Sequence, residues 1–116
     1  MRERTRARLT EDIARHLADI LEFDVKDPVL RAAAPTVMAV RLSPDGAEAV
    51  VYVYVEGTPD ERAKVLAAFA HDQGFLRTQL ARRLSVRRVP KLTFELDETL
   101  DRALRLEALF EEDRRG

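Results

Sequence analysis

Apolar residues in the first part of the chain recur every third or fourth position. Leu9, Ile13, Leu17, Ile20 and Leu21 form one stripe, with Ala14 and Ala18 beside it. That period predicts an amphipathic helix from about Thr5 to Phe23, with Glu11, Asp12, Arg15 and Asp19 on its far side. Asp27-Pro28 breaks it, because proline disfavours helical geometry in the residue before it. Residues Val29 to Pro35 read as an Ala-rich connector. The period then falls to two. From Thr36 to Leu42, Val37, Ala39 and Arg41 face one way and Met38, Val40 and Leu42 the other. Ala47 to Val55 alternates more strongly, with Ala49, Val51, Val53 and Val55 opposite Val50, Tyr52 and Tyr54. Pro44-Asp45-Gly46 between the two runs is a turn signal, so they pair as an antiparallel hairpin.

Thr58-Pro59-Asp60-Glu61 opens the next helix. Thr58 is placed to cap it, Pro59 suits its first position, and Glu61 can close a capping box. Ala63, Leu66, Ala67, Phe69 and Ala70 form its expected apolar face. Gly74 interrupts a pattern that resumes at once with Phe75, Leu76, Leu80 and Leu84, so a kink is expected there. Beyond Val89-Pro90, alternation returns from about Lys91 to Leu96. Leu100, Leu104, Leu106 and Leu109 then predict a terminal helix from Glu98 to Phe110. The order implies a three-stranded sheet backed by helices on one face, an α+β two-layer domain. Residues 1–110 would be that single domain, and residues 111–116 a polar tail that frays.

Composition narrows the class. A chain of 116 residues with 46% hydrophobic and 35% charged residues suits one folded domain with a modest core. It contains no cysteine, so disulfides, thiol nucleophiles and thiolate metal sites are excluded. No apolar run is long enough for a membrane helix, and the charged N-terminus lacks the apolar segment of a signal peptide.

Charge is unevenly placed. The net charge is −1, yet Gly74 to Asp97 sets Arg77, Arg82, Arg83, Arg87, Arg88 and Lys91 against only Glu95 and Asp97. Such local asymmetry is the footprint of a polyanion-binding surface, and its bland alternative is a solvated helix face with a loop. Arg2, Arg4, Arg6 and Arg8 oppose only Glu3, a second basic patch. Arginine at a helix N-terminus runs against the macrodipole, so helix stability does not account for it.

Catalytic patterns are missing. His16 and His71 are the only histidines and have no metal-ligand spacing; Ser43 and Ser85 lie outside any nucleophile turn. The four glycines form no phosphate loop, and Glu111-Glu112-Asp113 sit where nothing would desolvate them. No metal site or cofactor is expected. A binding protein is the better reading. The competing classes are a module binding an acidic protein and a small-molecule regulatory domain, which would need a polar pocket.

These residues fit a known pattern in order and spacing. Asp27-Pro28, then Ser43, Asp45, Ala49 and Val51-Tyr52-Val53, lead to Gly74-Phe75-Leu76-Arg77, Leu80 and Leu84. Arg87, Val89-Pro90, Leu92, Phe94, Asp97, Leu100 and Arg105 complete it. From about Arg4 to Leu109 the chain resembles the ribosome-binding factor A family of bacterial assembly factors. The resemblance implies a type II KH-like fold, α-β-β-α-kink-α-β. It also implies a non-enzymatic role in late maturation of 16S rRNA on the small subunit, near the 5′ end of that RNA, and a link to growth in the cold. An assembly GTPase and initiation factors would be release partners, and the protein a cytoplasmic monomer.

The family's Ala-x-Gly kink aligns with Asp72-Gln73-Gly74, so Asp72 departs from the pattern. A carboxylate there would repel RNA or cap the helix starting near Phe75, and capping is favoured. Val29 replaces a usual basic residue after Asp-Pro, while Lys91 replaces a common acid. The expected phosphate contacts are Arg82, Arg83, Arg87 and Arg88, flanked by Arg77 and Lys91, since guanidinium forks suit phosphate oxygens. At least one should be structural, with Arg77 the first candidate. Tyr52 and Tyr54 are expected to pack on the sheet rather than stack on bases.

Overall fold

The computed structural model describes residues 2–115, and the remaining Met1 and Gly116, the end of the expected tail, lie outside them. Helix α1 spans Glu3–Asp19 and buries Leu9, Ile13 and Leu17. It runs on into one wide turn, Ile20–Asp24, closed by the Val25 N–H donating to the Ile20 carbonyl at 2.9 Å. The extra residue in this π-type turn rotates the chain. Ile20 and Val25 are therefore buried, whereas Leu21, expected on the buried stripe, is only half-buried and Phe23 is exposed.

The expected Ala-rich connector is instead a short helix, α2, Pro28–Ala33. Asp27 caps it by accepting the Val29 N–H at 2.9 Å, and Pro28 occupies its first position. Asp-Pro thus ends one helix and starts another, because proline disfavours helical geometry in the residue before it yet suits the first position of a helix. Ala34 closes α2 in left-handed geometry, φ 45°.

Strands β1 (Thr36–Leu42) and β2 (Glu48–Tyr54) pair antiparallel, and β3 (Lys91–Leu96) pairs parallel to β2, giving the order β1-β2-β3. Three cross-strand rows face the helices: Leu42–Ala49–Leu92, Val40–Val51–Phe94 and Val37–Val53–Leu96. A bulge between Val37 and Ala39 breaks the alternation expected for β1. The inserted Met38 turns outward, so Val37 and Val40 can face the same core. In the hairpin turn, Asp45 accepts the Ser43 hydroxyl at 2.7 Å and the Ala47 N–H at 3.0 Å, with Gly46 at φ 74°.

Helix α3 (Pro59–His71) begins with the expected capping box between Thr58 and Glu61. Its buried face is Val65, Ala68 and Phe69; Ala63, Ala67 and Ala70, expected inside, are exposed. Small alanines read as apolar in the sequence, but helical phase is set by the larger Val65 and Phe69. Phe69 stacks on Phe94 with centroids 4.2 Å apart. Helix α4 (Gln73–Arg83) follows after a break at Asp72, φ −91° and ψ 8°. The kink therefore sits two residues before Gly74, which lies in the first turn of α4. A side chain at Gly74 would meet nothing within 4 Å.

The helices cover one face of the sheet. On the other, Val50, Tyr52 and Tyr54 are half-buried, and the Arg41 guanidinium lies 5.6 Å from the Tyr52 ring centre. Helix α5 (Thr99–Arg115) continues through residues 111–115, where a fraying tail was expected. None of its residues is buried. Among the described residues, no helix is long and apolar enough to cross a membrane.

Candidate nucleic-acid interface

The six cations expected at the site divide into two groups. Arg82 in the last turn of α4, Arg87 and Arg88 in the link to β3, and Lys91 at the start of β3 are exposed. Among the described residues they make no side-chain hydrogen bond or ion pair. Arg77 and Arg83 are half-buried and engaged. Arg77 donates to the Val89 carbonyl at 3.0 Å, tying α4 to the residue before Pro90. Its partner is a backbone oxygen, which makes Arg77 structural as expected. Arg83 bonds the Gln79 carbonyl at 3.0 Å and pairs with Asp24 at the end of the wide turn after α1. Arg82 and Arg83 also complement the negative end of the α4 dipole, a structural reason for part of this cluster.

The link is well placed to present charge. Leu84 and Pro90 at its ends are buried, so the link is anchored at both ends while Ser85 to Arg88 between them are exposed. Gln73 accepts the Leu92 N–H at 3.2 Å, fixing the start of α4 to β3. The exposed cations thus stand on a braced segment, with Arg77 and Arg83 as its supports.

At the α3–α4 kink the expected cap is absent. Asp72 occupies the N-cap position of α4, but its side chain makes no capping hydrogen bond. It turns toward His71 and Asp27 instead. His71 Nδ1 lies 3.0 Å from Asp72 Oδ1, while Asp72 Oδ2 is buried without a donor. Donor atoms of Asp27, His71 and Asp72 all lie within 4.8 Å of one another. Burial pushes the Asp72 carboxyl above its ordinary value, and the neighbouring Asp27 carboxyl pushes the same way. The nearby Asp72 carboxyl is in turn the first cause that holds Asp27 low, followed by the Val29 N–H. No periodicity or motif signals this meeting, because Asp27 and Asp72 come together only when α2 packs on α3.

At its N-terminus α1 carries Arg2, Arg4 and Arg8 exposed, while Arg6 pairs with Glu3. Tyr52 and Tyr54 sit on the open sheet face as expected, away from the residues of the α4–β3 link.

Element order, sheet topology and the kinked helix pair define a type II KH-like α+β domain with a locally basic surface. A family profile described as Ribosome-binding factor A matches residues 5–110, and the chain belongs to that family. It is 46% identical to the ribosome-binding factor A of Methylobacillus flagellatus, over 90% of this chain and 81% of the relative. The crystal structure of ribosome-binding factor A from Thermus thermophilus superposes with a TM-score of 0.68 at 35% identity. That match covers 78% of this chain and 93% of the other. A homology model of the Thermus thermophilus protein, fitted into a cryo-EM map of its complex with the 30S subunit, matches with a TM-score of 0.65 and 33% identity. It covers 79% of this chain and 94% of that one.

Proposed function

We propose that this chain is a non-enzymatic assembly factor that binds the small ribosomal subunit and supports late 16S rRNA maturation near the 5′ end. Its membership of the ribosome-binding factor A family supports the reading, as does the fitted 30S complex of its Thermus relative. The observation that carries it for this chain is the run of exposed, unengaged cations Arg82, Arg87, Arg88 and Lys91 on the braced link between α4 and β3. Guanidinium forks there meet phosphate oxygens without having to break an internal bond first. Recognition is of backbone and shape, because no exposed aromatic lies in this segment to stack on a base. The protein works as a cytoplasmic monomer, has a role in cold adaptation, and has an assembly GTPase and initiation factors as release partners.

Asp72 shapes this reading at the kink. A KH-like domain admits phosphate between its two central helices, and here that position holds a half-buried carboxylate close to Asp27. RNA contact therefore lies toward the end of α4 rather than at its start.

Co-sedimentation of the full chain with small subunits, large subunits and free rRNA across a salt series tests the proposal. Retention on small subunits, with log affinity falling against log salt at a slope of about −3 to −4, is expected for four phosphate contacts. Equal retention on all three would reduce the activity to generic RNA binding. No retention at low salt would overturn it.

A further inference from the structure

The fold brings together two basic clusters that lie far apart in the sequence. Leu9 and Ile13 of α1 share one core with Leu80 and Leu84 of α4 and its end. That packing lays the first half of α1 beside the end of α4, leaving an open groove of about 340 Å³ between them. Arg8, Asp12, Arg15 and His16 line one wall, and Arg83 and Ser85 belong to the other. Asp12 follows Arg8 by four positions, and Arg15 and His16 follow Asp12 by three and four, so all border one face.

Charge decides what the groove accepts. Asp12 is already bound to Arg15 at 3.1 Å, and Arg15 is 64% exposed. A pair of that kind is worth little, so Arg15 can turn to another anion at small cost. Arg8 is exposed and, among the described residues, engages no partner; the Ser85 hydroxyl engages none either. The positive rim also extends past the groove. Arg4 stands one turn before Arg8 on α1, while Arg87 and Arg88 continue from the opposite wall. A line of cations suits a ligand with regularly repeated charge better than a single small anion. No Phe, Tyr or Trp lines the groove, so its lining suits the charged backbone more than the faces of bases.

We infer that this groove holds the sugar-phosphate backbone of an RNA strand, gripped by α1 on one side and the α4–β3 link on the other. The inference rests on the RNA-binding reading above, which uses the link side alone. It gives Arg8, exposed and without a partner among the described residues, a task that internal bonding does not.

The test compares the full chain with an Arg8→Gln/Arg15→Gln variant and an Arg87→Gln/Arg88→Gln variant. Binding to purified small subunits and to a labelled single-stranded RNA oligonucleotide is measured across a salt series. For the α1 variant, affinity should fall at least about ten-fold at low salt, with a slope shallower by about 1.5 and an unchanged thermal midpoint. Parent-like affinity and slope, while the link variant weakens, would overturn the groove and leave the proposed function standing. Failure of the parent to bind small subunits would overturn both. Weaker binding with an unchanged slope and a lower thermal midpoint would mark a packing defect and overturn the groove. Loss of subunit binding with undiminished oligonucleotide binding would assign the groove to a ribosomal protein and overturn its RNA ligand.

Discussion

Arg62 of α3 holds both carboxylate oxygens of Asp101, at 2.9 Å and 3.3 Å, and so fastens the first turn of α5 to the body across 39 residues of sequence. Both side chains are largely shielded from solvent, at 20% and 28% exposure. Beyond this pair α5 buries nothing; Leu100, Leu104, Leu106, Leu109 and Phe110 are all exposed. A planar guanidinium bonded at two oxygens fixes direction as well as distance. The pair therefore acts as the hinge pin of the terminal helix.

Asp101→Ala should release α5 without unfolding the core. Amide hydrogen exchange in residues 99–115 is expected to quicken several-fold, while that of β2 and α4 stays as it was. Global stability should change by no more than about 1 kcal/mol, the ordinary scale of a partly exposed ion pair. Unchanged exchange in α5 would show that the helix is held by something other than Arg62.

Arg77 is a brace, so its loss should be felt in stability. Its guanidinium donates to the Val89 carbonyl at 3.0 Å, with its Nε buried and unpartnered. Arg77→Ala should cost about 1–3 kcal/mol in denaturant unfolding, the scale for a charged hydrogen bond to backbone. Arg82→Ala, at an exposed position, should stay within about 0.5 kcal/mol. Equal effects would remove the distinction between support and contact.

The pH dependence of the kink follows from three groups. Asp72 is raised by burial and by the nearby Asp27 carboxyl, and His71 is raised chiefly by its bond to Asp72. Folding thus favours the protonated forms of both. Their stabilisation is complete below the unfolded values and fades as pH climbs through the folded ones, for Asp72 in the acid range and for His71 above 6.5. Asp27 is lowered and works in the opposite sense, protecting the fold above its ordinary 3.8 and losing that protection on acidification. In Asp72→Asn a neutral amide, able to donate to Asp27 at every pH, replaces the buried carboxyl. The variant should melt a few degrees higher than the parent at pH 7, and should lose less stability between pH 5 and 8. A lower midpoint at pH 7 would show that the Asp72 carboxylate is needed in its ionised form.

The periodicity of large residues carried most of this fold in plain view. Leu9, Ile13 and Leu17 at intervals of four, and Ala49, Val51 and Val53 at intervals of two, are buried as the spacing requires. What escaped was local backbone irregularity. The wide turn at Ile20–Asp24 and the bulge at Met38 each insert one residue, which shifts phase without leaving a mark in composition. Alanine misled for another reason. Ala63, Ala67 and Ala70 are apolar but too small to set the face of α3, which follows Val65 and Phe69.

At the site, residue type was legible and partnership was not. Arg82 and Arg83 are neighbours of identical chemistry, yet one is exposed and the other pairs with Asp24, far away in sequence. Only the packing of α1 against α4 makes that difference. The same packing joins the Arg8 and Arg83 walls of the groove, which the sequence presents as two unrelated patches.

The Asp24–Arg83 pair yields the sharpest separation of structure from function. It joins the wide turn after α1 to the end of α4, with side chains 34% and 28% exposed. Arg83→Ala and Asp24→Ala should each destabilise the protein, and the double variant should lose less than the sum of the two. The coupling expected from a double-mutant cycle is about 0.5–2 kcal/mol, the range for contacting residues in one network. Arg82→Glu/Arg87→Glu/Arg88→Glu should do the reverse. It should leave the thermal midpoint near that of the parent and weaken small-subunit binding far more than Arg114→Glu/Arg115→Glu at the end of α5. If Arg83→Ala alone weakens subunit binding as much as the triple reversal, with stability intact, Arg83 is itself a phosphate contact and its bond to Asp24 is exchanged for one to RNA on binding.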